Sequence, residues 1–268
     1  MKKKNILVVG SDGYLGSKIT DYLISKKKYE CTGLDIGYFK KSLLYKKKKI
    51  KKLKIKNANE LSYNYVCKFD VVLMLAGISN DPFNNLSHKK IYDPTLRYAV
   101  KIAKICKKAK VRFIFPSSCS VYGYGKKLFN ENDKVNPLTA YSSNKYNIER
   151  ELEKLSDKNF SPIALRIATV YGVSPMIRFD VIINMLVAMS VIKNQIILNS
   201  NGLAWRPHVY IDDVCEAFKC SIDWDYNKGK LMVLNLGSNQ NNLKIIDIAK
   251  MIKKIRKSSK IKFLQNSS

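Results

Sequence analysis

At 268 residues the chain is long enough for one α/β domain with a small companion lobe, and ample for a sizeable core. Six Cys form no C-x-x-C pair and only two His are present, which argues against a zinc site; no metal is expected, and free thiols in a reducing cytoplasm fit best. The formal net charge of +28 asks for an anionic partner or for compositional drift, and 42 of the 49 basic residues are Lys, whereas selected phosphate-binding surfaces draw on Arg as well.

Lysines lead into an apolar run at 5–10 that stops at a glycine loop, which reads as a first strand and not as a signal peptide. A helical pattern follows over 17–26, then a strand over 29–36. The stretch "KKKKIKKLKIK" at 46–56 is densely basic but lacks the interleaved aromatics on which bases stack, so drift outweighs nucleic-acid binding. A strand at 70–77, a helix at 96–109, a strand at 111–118 and a helix at 141–155 come next, and 161–172 opens as a further strand. Strands apolar on both faces and alternating with helices predict an α/β fold, a Rossmann-type doubly wound parallel sheet, over residues 1–172. Beyond Gly172 the pattern loosens into a helix near 181–192, short strands at 195–198 and 231–237, and a helix at 243–255. This is read as a smaller substrate lobe over 173–268, interleaved with the sheet. The apolar run 181–192 is too short to span a bilayer and is broken by Asn184 and Ser190, so no membrane segment is expected.

The stretch "VVGSDGYLGSKI" sets Gly10, Gly13 and Gly16 between the first strand and the first helix. Glycines there permit a tight turn and the close approach of a pyrophosphate to the helix N-terminus, where free N–H groups and the dipole favour anions. Asp35 ends the second strand 19 residues after Gly16. A carboxylate at that place accepts the ribose hydroxyls of NAD and repels a 2′-phosphate, so NAD is the expected cofactor. Tyr14 and Leu15 in the loop and Ile36 beside Asp35 complete this part of the site, and Lys40 and Lys41 nearby would soften the discrimination against NADP.

Six Tyr-x-x-x-Lys pairs occur in this lysine-rich chain, so the spacing alone carries little information. The pair Tyr141–Lys145 in "YSSNK" stands apart because it opens a helix one loop after "FPSSCSVYG". On that helix the two side chains share a face one turn apart. The Ser of "PSS" lies at the carboxyl end of a parallel strand, where open α/β sheets bind ligands. Ser118, Tyr141 and Lys145 are therefore expected to converge over the cofactor.

With these residues in place, the sequence resembles the extended short-chain dehydrogenase/reductases, in their NAD-dependent nucleotide-sugar epimerase/dehydratase branch. The pieces come in the family's order from residue 5 to about 250: "GSDGYLG", "LDIG", "LAGISNDP", "SSCSVYG", "YSSNK", "LRIATVYG", "RFDVIINML", "WRPHVYIDDV" and "NLGS". The resemblance implies that Gly10, Gly13, Gly16 and Asp35 hold NAD, with Leu75, Ala76 and Gly77 lining its path and Tyr141 and Lys145 touching it. It implies Ser118, Tyr141 and Lys145 as the catalytic set, and Ser118, Thr169, Asn184 and Arg206 as contacts of a nucleoside-diphosphate sugar, with Arg206 on the diphosphate. A homodimer, a cytoplasmic location and a place in cell-surface polysaccharide biosynthesis are implied as well.

The resemblance also implies the chemistry: Tyr141 takes a proton from a sugar hydroxyl as hydride leaves the same carbon for NAD. Family dehydratases carry Asp-Glu after the catalytic hydroxyl, where this chain has Cys119-Ser120, and relatives that act through an enolate use a Cys at the position of Ser120. A 4-epimerase-like reaction is what remains. A keto-sugar reductase or dehydratase of the same family, and a nucleic-acid-binding protein on a dehydrogenase scaffold, stand as the alternatives. Departures from the family pattern fall at Lys56, Asn57 and Ala58, where an adenine-side acid is usual, at Thr169, where an Asn is usual, and at Tyr210, where a His is usual. Relatives also continue for several tens of residues past the position of Ser268, so a shortened C-terminal lobe is expected.

Overall fold

The computed structural model describes residues 3–38, 42–46, 48–78, 88–125 and 127–264. The first half alternates strands and helices: β1 (Lys4–Val9), α1 (Tyr14–Ser25), β2 (Tyr29–Leu34), β3 (Lys51–Lys52), α2 (Tyr63–Val66), β4 (Val71–Met74), α3 (His88–Ala109), β5 (Arg112–Ser118) and α4 (Ala140–Leu155). The second half runs β6 (Ile163–Ile167), β7 (Thr169–Tyr171), α5 (Ile182–Ile192), β8 (Gln195–Leu198), β9 (Trp205–Tyr210), α6 (Ile211–Asp223), β10 (Met232–Leu236), β11 (Asn242–Lys244), α7 (Ile245–Ile255) and β12 (Lys260–Phe263).

Seven strands pair in the order β10-β6-β5-β4-β1-β2-β3, and every pairing is parallel. Burial of both faces follows from the period of two along each strand. Ile6 and Val8 of β1 face one core with Ile19 and Leu23 of α1 and Val214, Phe218 and Ile222 of α6. Leu7 and Val9 face the other, with Ala99, Ile102 and Ala103 of α3 and Ile148 and Leu152 of α4. The strand order reverses between β1 and β4, and that switch point opens a crevice at the carboxyl ends of the strands.

The strand expected over 161–172 is two strands. Ala168 N donates to Leu236 O of β10, after which β7 leaves the large sheet and pairs with β9. β11 joins the other edge of β9, β12 pairs with β8, and these small sheets share a core of Leu186, Ile196, Leu198, Ile248, Ala249 and Ile252 with α5 and α7. α6 and β10 lie beyond residue 172 yet pack on the large sheet. No helix among the described residues is long and apolar enough to cross a membrane.

Candidate active site

β1 delivers the chain into the glycine loop with Gly10 at φ +91°, a left-handed conformation that side-chain-bearing residues avoid. A Cβ on Gly10 would lie 2.5 Å from Ala76 N, and one on Gly16 would lie 2.0 Å from Gly10 O. These two glycines let the loop close against itself and against the end of β4. Gly13 differs: a Cβ there would meet only Gly10 O, at 3.5 Å, so the space beyond it is open to a ligand. Gly13 is also the N-cap of α1 and offers no side chain to the first-turn N–H groups, which leaves them for an anion.

The Asp35 carboxylate is held at the loop's edge, Oδ2 accepting from Asp12 N at 2.9 Å and Oδ1 from Gly37 N at 2.8 Å. Each oxygen keeps a second lone pair, as a ribose diol requires. Ile36 beside it is exposed, and Leu15 is half-buried. Across the switch point Leu75 N donates to Val9 O, Leu75 and Ala76 are half-buried, and Gly77 is exposed. Lys40, Lys41 and the end of the "LAGISNDP" stretch lie outside the described residues. The basic run at 46–56 is partly spent on the protein's own carboxylates, Lys51 on Glu30 and Lys52 on Asp12.

Ser118 ends β5, its Oγ accepting from Ser120 N at 3.2 Å and from Ser120 Oγ at 2.9 Å. A capping box of Thr139 and Ser142 starts α4 and fixes Tyr141 in its first turn. Lys145 Nζ donates to Pro116 O at 2.6 Å, sits 4.7 Å from the Phe115 ring centre and 5.6 Å from that of Tyr141. Burial pushes the Lys145 ammonium down to about 8, with the charge of Glu149 opposing. The expected pair thus meets on one face of α4, against the end of the strand that carries Ser118.

Beneath this set lies a buried ion pair that sequence reasoning missed. Arg166 of β6 grips Glu149 of α4 at both oxygens, Nη2 to Oε2 at 2.7 Å and Nε to Oε1 at 3.1 Å. Ser117 Oγ donates to the same carboxylate, and Arg166 Nη1 donates to Tyr122 Oη at 2.8 Å. Glu149 follows Lys145 by one helical turn, so the clue available was a Tyr-x-x-x-Lys-x-x-x-Glu stripe on one helix face. Cys119 turns inward, its thiol donating to Arg166 O, and burial pushes it up to about 12.

The residues expected at the substrate end behave differently from one another. Asn184 is buried and its carboxamide is engaged: Oδ1 accepts from Gly172 N at 3.0 Å, and Nδ2 donates to Arg178 O at 2.9 Å and to Tyr14 Oη at 3.4 Å. Tyr14 is buried too, its hydroxyl donating to Gly172 O at 2.9 Å, and burial pushes the phenol up to about 12. Ser174 Oγ donates to Tyr14 O and shares a hydrogen bond with Ser17 Oγ. Tyr14 and Asn184 therefore fasten the glycine-loop helix to α5 and to the turn after β7. Arg206 is exposed and forms no ion pair among the described residues, its Nη1 donating only to Trp205 O. Thr169 is half-buried on β7, in register with His208 of β9. A further cation appears here: Arg178, paired with Asp180, lies close enough to feel the charges of Tyr141 and Tyr14.

A parallel sheet with a glycine-lined anion cradle at its switch point and a Tyr–Lys pair beside it defines a dinucleotide-binding α/β protein. The chain belongs to the NAD dependent epimerase/dehydratase family, whose model matches residues 6–237. It is 27% identical over 277 residues to the bifunctional polymyxin resistance protein ArnA of Wigglesworthia glossinidia brevipalpis, a match that covers 93% of this chain and 41% of that protein. It is 25% identical over 281 residues to ADP-L-glycero-D-manno-heptose-6-epimerase of Brachyspira hyodysenteriae, covering 97% of this chain and 83% of the relative. Among solved structures, an NAD dependent NDP-hexosamine 5,6-dehydratase, TunA, aligns with TM-score 0.84 at 21% identity over 97% of this chain and 84% of that one. The UDP-glucuronic acid 4-epimerase of Bacillus cereus, in complex with UDP-glucuronic acid and NAD, aligns with TM-score 0.80 at 23% identity over 97% and 86%. NAD is the family's cofactor, and the cradle at Gly13 with the Asp35 carboxylate at its edge fits it.

Proposed function

We propose that the chain is an NAD-dependent nucleotide-sugar epimerase that oxidises one ring carbon transiently and reduces it from the other face, in the manner of a 4-epimerase. The observation that carries this reading is the Lys145 ammonium docked on the Pro116 carbonyl beside the Tyr141 ring, at the strand end that Ser118 closes. A phenol of ordinary pKa, about 10, is a weak base at neutral pH. A buried ammonium beside it favours the phenolate, and Arg178 lies close enough to add positive charge. Tyr141 Oη then takes the proton of the sugar hydroxyl and later returns it, while Ser118 Oγ holds the same oxygen. Held by the glycine loop at Gly13 and by Asp35, NAD would supply a hydride acceptor and donor for that carbon.

Two side chains narrow the reaction. Cys119 stands where a dehydratase places its acid, and its inward thiol, pushed up to about 12, supplies neither acid nor base at neutral pH. Ser120 bonds Ser118 and ionises far outside the working range. Exposed Arg206, with no ion-pair partner among the described residues, suits a diphosphate. A cytoplasmic homodimer serving surface-polysaccharide synthesis belongs to the same reading, consistent with six free cysteines.

The experiment is a thermal-shift screen of the NAD-loaded protein with UDP-, GDP-, CDP- and dTDP-sugars, followed by product analysis. A ligand that binds the folded state raises its stability by mass action. Stabilisation by one nucleotide series, with a stereoisomer formed and no net NADH change, is expected. Net NADH consumption with a 4-keto substrate would make the enzyme a reductase, and no response to any nucleotide sugar with NAD bound would overturn the substrate class.

A further inference from the structure

The geometry points to Asp12 and Lys52 as a cofactor-specificity pair: Asp12 neutralises the ammonium that Lys52, its side chain 37% exposed, brings to the ribose edge, and thereby denies a counter-ion to a dinucleotide carrying a 2′-phosphate. β3 is the last strand of the large sheet, and Lys52 stands in register with Gly33 of β2, two residues before Asp35. The bare Gly33 makes a trough for the lysine stem, since a Cβ there would lie 3.0 Å from Lys52 Cδ and 2.5 Å from Ser11 Oγ. Along that trough the ammonium reaches the underside of the glycine loop and donates to Ser11 Oγ and Asp12 Oδ1.

Asp12 joins the two ends of this arrangement. Its side chain is 3% exposed, so its charge requires a nearby cation, and Lys52 provides one. Its backbone N–H is the donor to Asp35 Oδ2, at 2.9 Å. One residue therefore separates the ammonium from the carboxylate that receives the ribose. A lysine so close to the 2′ position is the group that recognises a phosphate as a point charge, and its partner is set inside the loop. With Asp12 ionised, the lysine is spent and Asp35 governs the edge, favouring the 2′-hydroxyl of NAD over the 2′-phosphate of NADP.

Titration calorimetry with NAD and NADP, on the full chain at low ionic strength, tests this. Asp12→Asn keeps size and an acceptor for Lys52 but removes the charge. The expected result is a fall of about tenfold or more in the ratio of Kd for NADP to Kd for NAD, shrinking as salt is added. Adding Lys52→Gln to that variant is expected to abolish the gain. Lys52→Gln alone, at a partly exposed edge position, removes a positive charge from the ribose edge while Asp12 keeps its negative one, and is expected to raise the ratio. An unchanged ratio in folded Asp12→Asn, or a gain that survives in the double variant, overturns the assignment. Should Asp12→Asn fail to fold, an unchanged ratio in Lys52→Gln overturns it.

Discussion

On the large sheet, the strands that lead to the cradle, β1 from Ile6 to Val9 and β4 from Val71 to Met74, are buried; in the small lobe, the strands β7, β11 and β12 are half-buried or exposed, although Asn184 of α5 is buried. β1 from Ile6 to Val9 and all of β6 have almost no exposed surface, whereas β7 and β11 are half-buried throughout and β12 is mostly exposed. Ser117, Glu149 and Arg166 form one connected polar set inside the first region, with Lys145 docked nearby on the Pro116 carbonyl, while the Arg206 guanidinium in the second donates only to Trp205 O and forms no ion pair among the described residues. The difference is what a common reaction with variable substrates requires. On the proposed function, proton transfer tolerates little displacement, and the half-buried Ser118, Tyr141 and Lys145 stand on elements anchored in the close-packed core. On the same proposal, recognition of a sugar would fall to the short strands and loops of the small lobe, whose replacement costs the core little.

The contrast can be tested from both sides. Tyr141→Phe, on the rigid side, is expected to lower turnover by about 10²–10⁴-fold, the range for a lost general base, while calorimetry shows NAD affinity retained. Equal damage from Tyr22→Phe, the phenol of which bonds Glu216 elsewhere, would show that the rigid set is not the reaction centre. Glu149→Ala leaves Arg166 a buried, unbalanced cation and is expected to cost about 3–5 kcal/mol in denaturant unfolding, whereas replacing both partners by apolar residues costs less.

Gly13→Val is expected to abolish NAD binding with little change in unfolding free energy, because its Cβ meets only Gly10 O, at an ordinary contact distance of 3.5 Å, while Gly16→Val disturbs the fold itself. A milder effect is expected from pH. His208 is buried in the small lobe with neither ring nitrogen hydrogen-bonded among the described residues, and burial pushes it down from 6.5 to about 4. The unfolded chain takes that proton first, so stability is complete above pH 6.5 and declines on the order of 2 kcal/mol as pH falls towards 4. His208→Leu should flatten this slope in thermal melts. Smallest is Arg206→Ala: nucleotide-sugar Kd rises about tenfold while the melting temperature stays within a degree or so, as for an exposed residue.

The same contrast governs how much was legible in the sequence. Long buried strands and the helix α4 announce themselves through their apolar period, and Gly10, Gly16, Tyr141 and Lys145 stand in the loop and on the helix where they were expected. Residues 205–223 yielded no element on reading, although Ile211, Val214, Cys215, Phe218 and Ile222 of α6 recur at helical spacing. Strands of two to four residues such as β3, β11 and β12 owe their existence to a partner strand, which composition does not reveal. Asn184 was legible as a polar group breaking an apolar helix face; that its carboxamide reaches Gly172 and Tyr14 depends on contacts across 12 and 170 positions of chain.

The place of β10 at the edge of the large sheet bears on biosynthesis. β6 emerges from the ribosome about 70 residues before the strand that covers its edge, an interval on the order of 4–14 s at ordinary elongation rates. During it the nascent sheet presents an unpaired row of N–H and C=O groups, a template for association with other chains. Arg166 of β6 and Glu149 of α4 both precede β10 in the chain, so both partners of this buried ion pair are synthesised before the strand that closes the sheet.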